Sequence, residues 1–402
     1  MMAFAQTAVC YVVPFVAIIS LIVVVHELGH FLTAKAFGVA IDQFSIGFGR
    51  SLVSWRDRSG VEWRVGWLPL GGYVRFAGDE NIASAPDHTD LSALRAAIVE
   101  QEGSGAELKY LPFKPLWQRT LVVLAGPVAN FLLSIVLFAS FFWMFGEPVA
   151  STRIQQLVAG GAAAHAGFQA GDVIEQADGR TMKSFQDVQF YIQYRAGVPI
   201  DFVVRRANQT LHITAAPALA HESSPFGGDQ TIGRLGLTAK VGGVRHYDPI
   251  SALRLGVQRT WRVASTTLFY VGRIVTGQVG ADQLHSVLGI AHASGAMTTQ
   301  AVAAAKSAGS SWIVATAFLL IQMAALMSVS IGLLNLLPIP TLDGGHLLFY
   351  AYEAVVRHPP RASIQSAGYR AGLALLVVLM LFATWNDLQR LRVFHLFGSL
   401  FS

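Results

Sequence analysis

The run Met1 to Val25 carries no charged side chain and is closed by His26-Glu27-Leu28-Gly29-His30. About 20 consecutive apolar residues, rising 1.5 Å each, cross the hydrocarbon of a bilayer, so the stretch reads as a membrane helix that ends in ionisable groups. It lacks the basic start of a signal peptide, and a polar motif stands where a small-residue cleavage site would be, so the run is expected to stay in the mature protein. Leu121 to Phe145 is a second charge-free run, and Ser307 to Leu342 a third that is longer than one span requires. Ala371 to Asn386 is shorter, and Trp385 near its end suits an interfacial anchor, which makes a fourth span.

Composition points the same way. Of 402 residues, 53% are hydrophobic and 13% charged, against about 25% charged in ordinary soluble domains. One cysteine, Cys10, excludes an intramolecular disulfide and a zinc site built from several thiolates, so metal ligands must be His, Asp or Glu. The net charge of +5 is scattered, with no basic block to follow a phosphate backbone, and no nucleic-acid partner is expected. Lys35 and Arg50 follow the first span, Lys114 and Arg119 precede the second, and Arg357, Arg361 and Arg370 separate the third from the fourth. By the positive-inside rule these loops are cytoplasmic and both termini lie outside, although Arg390 and Arg392 pull mildly the other way.

Between the first two spans, Trp63 to Leu68 and Tyr73 to Phe76 flank Pro69-Leu70-Gly71-Gly72, which predicts a β-hairpin with glycine at its turn. Its open edge could pair with an extended peptide, marking Gly71 and Gly72 as substrate-binding candidates. Asp79 to Gly105 reads as a flexible or weakly helical connector. From Glu147 to Gly243 polarity is normal, with strand-like Asp201 to Arg205 and Leu211 to Thr214. Within this part Ala166 to Ile174, followed by Asp178-Gly179, resembles the signature of bacterial PDZ domains, which bind peptides by adding a strand to a sheet edge. Val263 to Gly272, between Arg262 and Arg273, is too short to cross and predicts short amphipathic helices on the membrane surface.

The chemistry lies in the His-Glu-x-x-His motif. Helical positions i and i+4 share a face, so His26 and His30 can ligate one zinc ion while Glu27 takes a proton from water as a carbonyl is attacked. Ionisable groups at membrane depth cost about 2.5 kcal/mol or more each, and a metal ion supplies the compensation. Ala36 stands where a soluble-protease subclass has its third ligand, so that ligand must come from elsewhere. Asp343, at the end of Asn335-Leu336-Leu337-Pro338-Ile339-Pro340-Thr341-Leu342-Asp343-Gly344-Gly345, is the only acidic residue between Asp282 and Glu353. If four spans alternate in direction, the first and third run the same way and bring both polar motifs to one depth. Pro338 and Pro340 break the helix there, which is tolerated where backbone lines a wet cavity or is buried.

With these motifs in this order, together with Gly126-Pro127-Val128-Ala129-Asn130 in the second span, the chain resembles the site-2 proteases of the RseP type, the regulated intramembrane zinc metalloproteases. The resemblance implies His26, His30 and Asp343 as ligands of one zinc ion, Glu27 as catalytic acid/base, and Asn335 as a residue that helps hold unwound substrate. It also implies that the hairpin meets substrate as an added strand and that the PDZ domain limits access, although such enzymes often carry two PDZ domains and one signature is seen here. The implied substrates are single-span membrane proteins, either anti-sigma factors after a first cut or remnant signal peptides. Further partners are membrane lipid and a peptide ligand for the PDZ domain, and the implied location is the bacterial inner membrane. His285, His292 and His346 read as surface or packed histidines, and Asn130 as a residue satisfied between spans.

The expected architecture is thus a multi-pass α-helical membrane protein of about four transmembrane helices, with a cytoplasmic β-hairpin region and an extracytoplasmic PDZ-like α+β domain. Its parts are the first span (1–38), a cytoplasmic loop with the hairpin (39–118), the second span (119–146), a PDZ-like domain (147–243), an amphipathic region (244–306), the third span (307–346), and the fourth span with the tail (347–402). A metal or proton transporter would need an inverted repeat, and none is visible. An inactive PDZ scaffold would predict loss of a ligand or of Glu27, and all four residues are present.

Overall fold

The computed structural model describes residues 2–78, 91–223, 229–276 and 311–390. The chain divides into two units, one of residues up to Phe141 together with Ser251–Gln389, the other built on Phe142–Ile250.

The first unit begins with α1 (Met2–Ala36), which the apolar run sustains to its end and beyond, through His26 and His30. A sheet follows from β1 (Ile41–Arg56) and β2 (Glu62–Phe76), paired antiparallel. The tight turn is at Asp57–Val61, where Asp57 Oδ1 accepts from the Ser59 N–H and hydroxyl, both at 2.8 Å, and from the Val61 N–H at 3.1 Å. This corrects the expected hairpin. Pro69-Leu70-Gly71-Gly72 lies within β2 and is not its turn, and the two flanking stretches do not pair with each other. Gln43 to Ile46 lies between them, with partners in Glu62–Val65 on one side and in Gly72–Arg75 on the other. Gln43, Phe44 and Ser45 are all buried, so this central segment is covered on both faces and shows no alternation.

After the connector, of which 79–90 lie outside the described residues, α2 (Leu91–Glu102) is a regular helix. Next comes α3 (Leu116–Phe145), a charge-free run over most of its length with Pro127 inside it.

The second unit is built on β3 (Glu147–Leu157), α4 (Ala162–His165), β4 (Val173–Ala177), β5 (Arg180–Thr181), α5 (Phe185–Gln193), β6 (Ile200–Arg206), β7 (Gln209–Ala215), β8 (Ala218–Ser223), β9 (Asp229–Arg234) and β10 (Leu237–Arg245). Its main sheet runs β10-β3-β4-β6-β7 with β5 on β4, while β8 and β9 pair separately. Alternation in β6 sends Ile200, Phe202 and Val204 into a core with Ile154, Ile174 and Val188. Ser184 and Asp187 form a reciprocal capping box that starts α5. The buried Asp172 accepts a two-pronged bond from Arg206, at 2.7 and 2.8 Å, and fastens the Gly167–Gly171 loop to β6.

The chain returns through α6 (Pro249–Val275), a single 27-residue helix where short ones were expected. It lays the small residues Ala252, Gly256, Thr260 and Ala264 inward, and the Thr260 and Ser134 hydroxyls bond at 3.1 Å against α3. The last helices are α7 (Trp312–Asn335), α8 (Asp343–Val356) and α9 (Ala362–Arg390). Pro338 and Pro340 offer no N–H to continue α7, so the chain breaks and restarts at Asp343. Gly344 and Gly345 press on the backbone of Leu336–Leu337 and Ile339–Pro340, where a Cβ would have no room, so α8 folds back tightly on the break.

Among the described residues, four helices are long and apolar enough to cross a membrane: Val13–Ala36, Leu116–Phe145, Trp312–Asn335 and Ser363–Leu388. They carry the four runs read from the sequence.

Candidate metal centre

His26 and His30 lie one turn apart on α1, and Asp343 opens α8. Their ligand atoms all lie within 4.8 Å of one another, making them the group among the described residues that could hold a metal ion. His26 Nε2 is 3.1 Å from Asp343 Oδ2, His30 Nε2 is 3.6 Å from the same oxygen, and the two Nε2 atoms are 3.2 Å apart.

Asp343 Oδ2 is enclosed, with the two imidazole Nε2 atoms beside it. Unless a ring carries its proton on Nε2, these three lone-pair atoms need a cation among them. The outer nitrogen of His30 is already used: Nδ1 donates to the Val122 carbonyl at 2.8 Å, which leaves the Nε2 lone pair of a neutral ring facing inward. Two imidazole nitrogens and a carboxylate oxygen converging without protons between them fit a divalent cation that accepts nitrogen and oxygen ligands, zinc among them.

Glu27 stands beside this group. The Val74 backbone N–H of β2 donates to its carboxylate, and a Cβ at Gly72 would stand 3.5 Å from Glu27 Cγ. Among the described residues, the segment Gly72–Phe76 has a strand partner on one side only. The Ser20 hydroxyl of α1 donates to the Pro69 carbonyl, so β2 reaches past the histidines along the first span.

A cavity of about 910 Å³ joins these parts, lined by His26, Glu27, His30, Gly72, Asn335 and Asp343 among others. The Asn335 amide nitrogen lies 3.4 Å from His26 Nε2 and 3.5 Å from Nδ1. Gly71 lies against the Phe48 ring, next to this wall. His346 lines the cavity with its Nδ1 3.5 Å from the Tyr369 hydroxyl, but it is not one of the three converging groups. His285 and His292 lie outside the described residues.

Sequence reasoning missed the outer contacts of the two histidines. The Val122 carbonyl holds His30, the buried Asn130 reaches His26, and Gly126 faces both rings. All three come from one face of α3, and the Gly126-x-x-x-Asn130 spacing was the one available signal, since i and i+4 share a face.

Residues 14–379 match the family described as Peptidase family M50. The metalloprotease MmpA of Caulobacter vibrioides is 49% identical over 386 residues, covering 96% of this chain and 97% of that protein. A putative zinc metalloprotease of Agrobacterium fabrum is 40% identical, covering 95% of this chain and 96% of that one. The regulator of sigma-W protease RasP of Bacillus subtilis is 30% identical, covering 94% and 98%.

Proposed function

The chain belongs to peptidase family M50 and is a zinc metalloprotease of the membrane, and from that premise we propose how its own residues cut a polypeptide. His26, His30 and Asp343 hold one zinc ion, and Glu27 is the general acid/base. The observation that carries this reading is the convergence of two Nε2 atoms on an enclosed Asp343 oxygen in the wall of a common cavity.

When bound, zinc supplies Lewis acidity, which makes water more acidic and a carbonyl more electrophilic. Glu27 accepts a proton from the attacking water and gives it to the leaving nitrogen as the peptide C–N bond breaks; the oxygen of water ends in the new carboxylate. The Val74 N–H orients Glu27 for both transfers. An intact helix hides its carbonyls, so the substrate must first unwind. The free side of Gly72–Phe76 offers it a strand to pair with, and Asn335 lies across the cavity as a second hold.

Substrates on this reading are single-span membrane proteins: an anti-sigma factor after a first cut, as the name of RasP suggests, or remnant signal peptides. The protein resides in the bacterial inner membrane with the β1–β2 turn in the cytoplasm, both termini outside, and the PDZ-like unit outside with a peptide as its ligand. The sheet β10-β3-β4-β6-β7 with α4 and α5, and the Gly-Asp loop before β4, support the PDZ reading.

The test is cleavage of a tagged single-span substrate by purified full-length protein in detergent. Wild type is expected to cut within the span, while Glu27→Gln and a chelator-treated sample lose at least about a hundredfold in rate. Equal cutting by Glu27→Gln would overturn the assigned site.

A further inference from the structure

The buried carboxamide of Asn130 has one unsatisfied end. Its nitrogen lies 3.3 Å from His26 Nδ1, while its Oδ1 is enclosed and has no hydrogen-bond partner. Asn130 is fully buried, and its backbone is pinned on the other side, where the Ser328 hydroxyl of α7 donates to the Asn130 carbonyl at 2.7 Å. A Cβ at Gly332 would stand 3.3 Å from Asn130 Cβ, so α7 packs closely on this side chain at the height of the histidines.

The chemistry of the ring decides which end of the amide belongs there. His26 turns Nε2 toward Asp343 and His30. A neutral imidazole has one N–H and one lone pair, so a ring that ligates through Nε2 carries its proton on Nδ1 and requires an acceptor there. An amide nitrogen is a donor and cannot serve. A half-turn of the carboxamide exchanges oxygen for nitrogen at nearly the same positions and places Oδ1 on Nδ1, with the amide nitrogen taking the enclosed place that Oδ1 left.

We infer that Asn130 is a positioning residue of the metal centre, whose Oδ1 accepts the His26 Nδ1 proton and so fixes the tautomer and ring orientation that present Nε2 to zinc. The inference rests on His26 being a ligand. His30 has the matching support from the Val122 carbonyl, so one face of α3 orients both imidazoles. Asn335 also approaches His26, but its nitrogen lies nearly equidistant from the two ring nitrogens and selects neither. With Asn130 in place, Asn335 is left for substrate.

The test is zinc affinity of the full-length protein in detergent, measured by competition with a chromophoric chelator, for wild type, Asn130→Leu, Asn130→Asp and Asn335→Leu. Leucine keeps the branched heavy-atom skeleton and removes the acceptor, and the expected loss is about 10- to 100-fold, the usual effect of removing an outer hydrogen bond from a metal-bound histidine. Aspartate keeps an acceptor and is expected to bind zinc within a few-fold of wild type or more tightly. Asn335→Leu is expected to leave affinity unchanged. Wild-type affinity in Asn130→Leu, an equal loss in Asn130→Asp, or a loss in Asn335→Leu alone would each overturn the inference while leaving the zinc site standing. Wild type that binds no zinc would overturn the site assignment itself.

Discussion

At the scale of single residues, the site depends on a position with no side chain. Gly126 faces both imidazoles, and a Cβ there would run into His30 Nε2 and come within 2.8 Å of His26 Cε1. In a helix interior alanine is favoured over glycine by roughly 0.5–1 kcal/mol, while forcing a methyl group into this contact costs about 1–3 kcal/mol, so Gly126→Ala is expected to lower the thermal midpoint slightly. Zinc affinity, measured by chelator competition, should fall at least about tenfold, because both rings must move. A variant that binds zinc like wild type would show that the rings tolerate the methyl group. His26, His30 and Glu27 were legible in the sequence because their relation is local, a matter of helical spacing at the end of a charge-free run. Val122, Gly126 and Asn130 were not, because their role depends on how α3 is rotated against α1, and no spacing within either segment states that.

At the scale of elements, the sheet formed by β1 and β2 carries the edge that faces Glu27, and its geometry hangs on the Asp57 turn. The Ser59 hydroxyl, helped by the Trp63 indole and the Ser59 and Val61 N–H groups, outweighs slight burial and holds the Asp57 carboxyl down at about 2. The folded value lies below the ordinary one near 3.9, so the turn's contribution is fully present above that value and is lost as pH falls from about 4 towards about 2. Hydrogen exchange at the Ser59 and Val61 amides, corrected for the intrinsic rate, should show protection decaying through that window in wild type. Asp57→Ala should lack most of the protection at neutral pH and show no such decay; retained protection would mean that the turn is held by strand pairing alone. The sheet was only partly legible for a physical reason. Gln43 and Ser45 are as buried as Phe44, which erases the period-two pattern of the strand that lies at its centre. Pro69-Leu70-Gly71-Gly72 has turn composition, yet here it bends a continuous strand alongside α1.

At the scale of the whole molecule, three contacts in the first unit tie helix ends together. Lys114, just before α3, donates to the Phe37 carbonyl at the end of α1. Arg119 makes a two-pronged bond to Glu353 of α8, with its second contact at 3.1 Å. Lys35 at the close of α1 lies 3.6 Å from Asp57 in the β1–β2 turn. The end of α1, the start of α3, the sheet's turn and α8 therefore share one end of the helices, and α7 runs parallel to α1, since Asn335 at its close meets His26. Lys35, Arg50, Lys114, Arg119, Arg357 and Arg361 stand near span ends at this end, and by the positive-inside rule these charges support the proposed orientation with this end in the cytoplasm. With Cys10 replaced by alanine, single cysteines at Ser59→Cys and His358→Cys should react with a membrane-impermeant maleimide only after intact spheroplasts are permeabilised. Thr210→Cys, an exposed position of β7 beside the β6–β7 turn, should react without permeabilisation, because α3 carries the chain across before β3 begins. Labelling of Ser59→Cys in intact cells would invert the orientation and place the cut on the outer side of the bilayer. The three helix-end contacts would survive that result, because they fix which ends lie together and leave to the basic residues the choice of side.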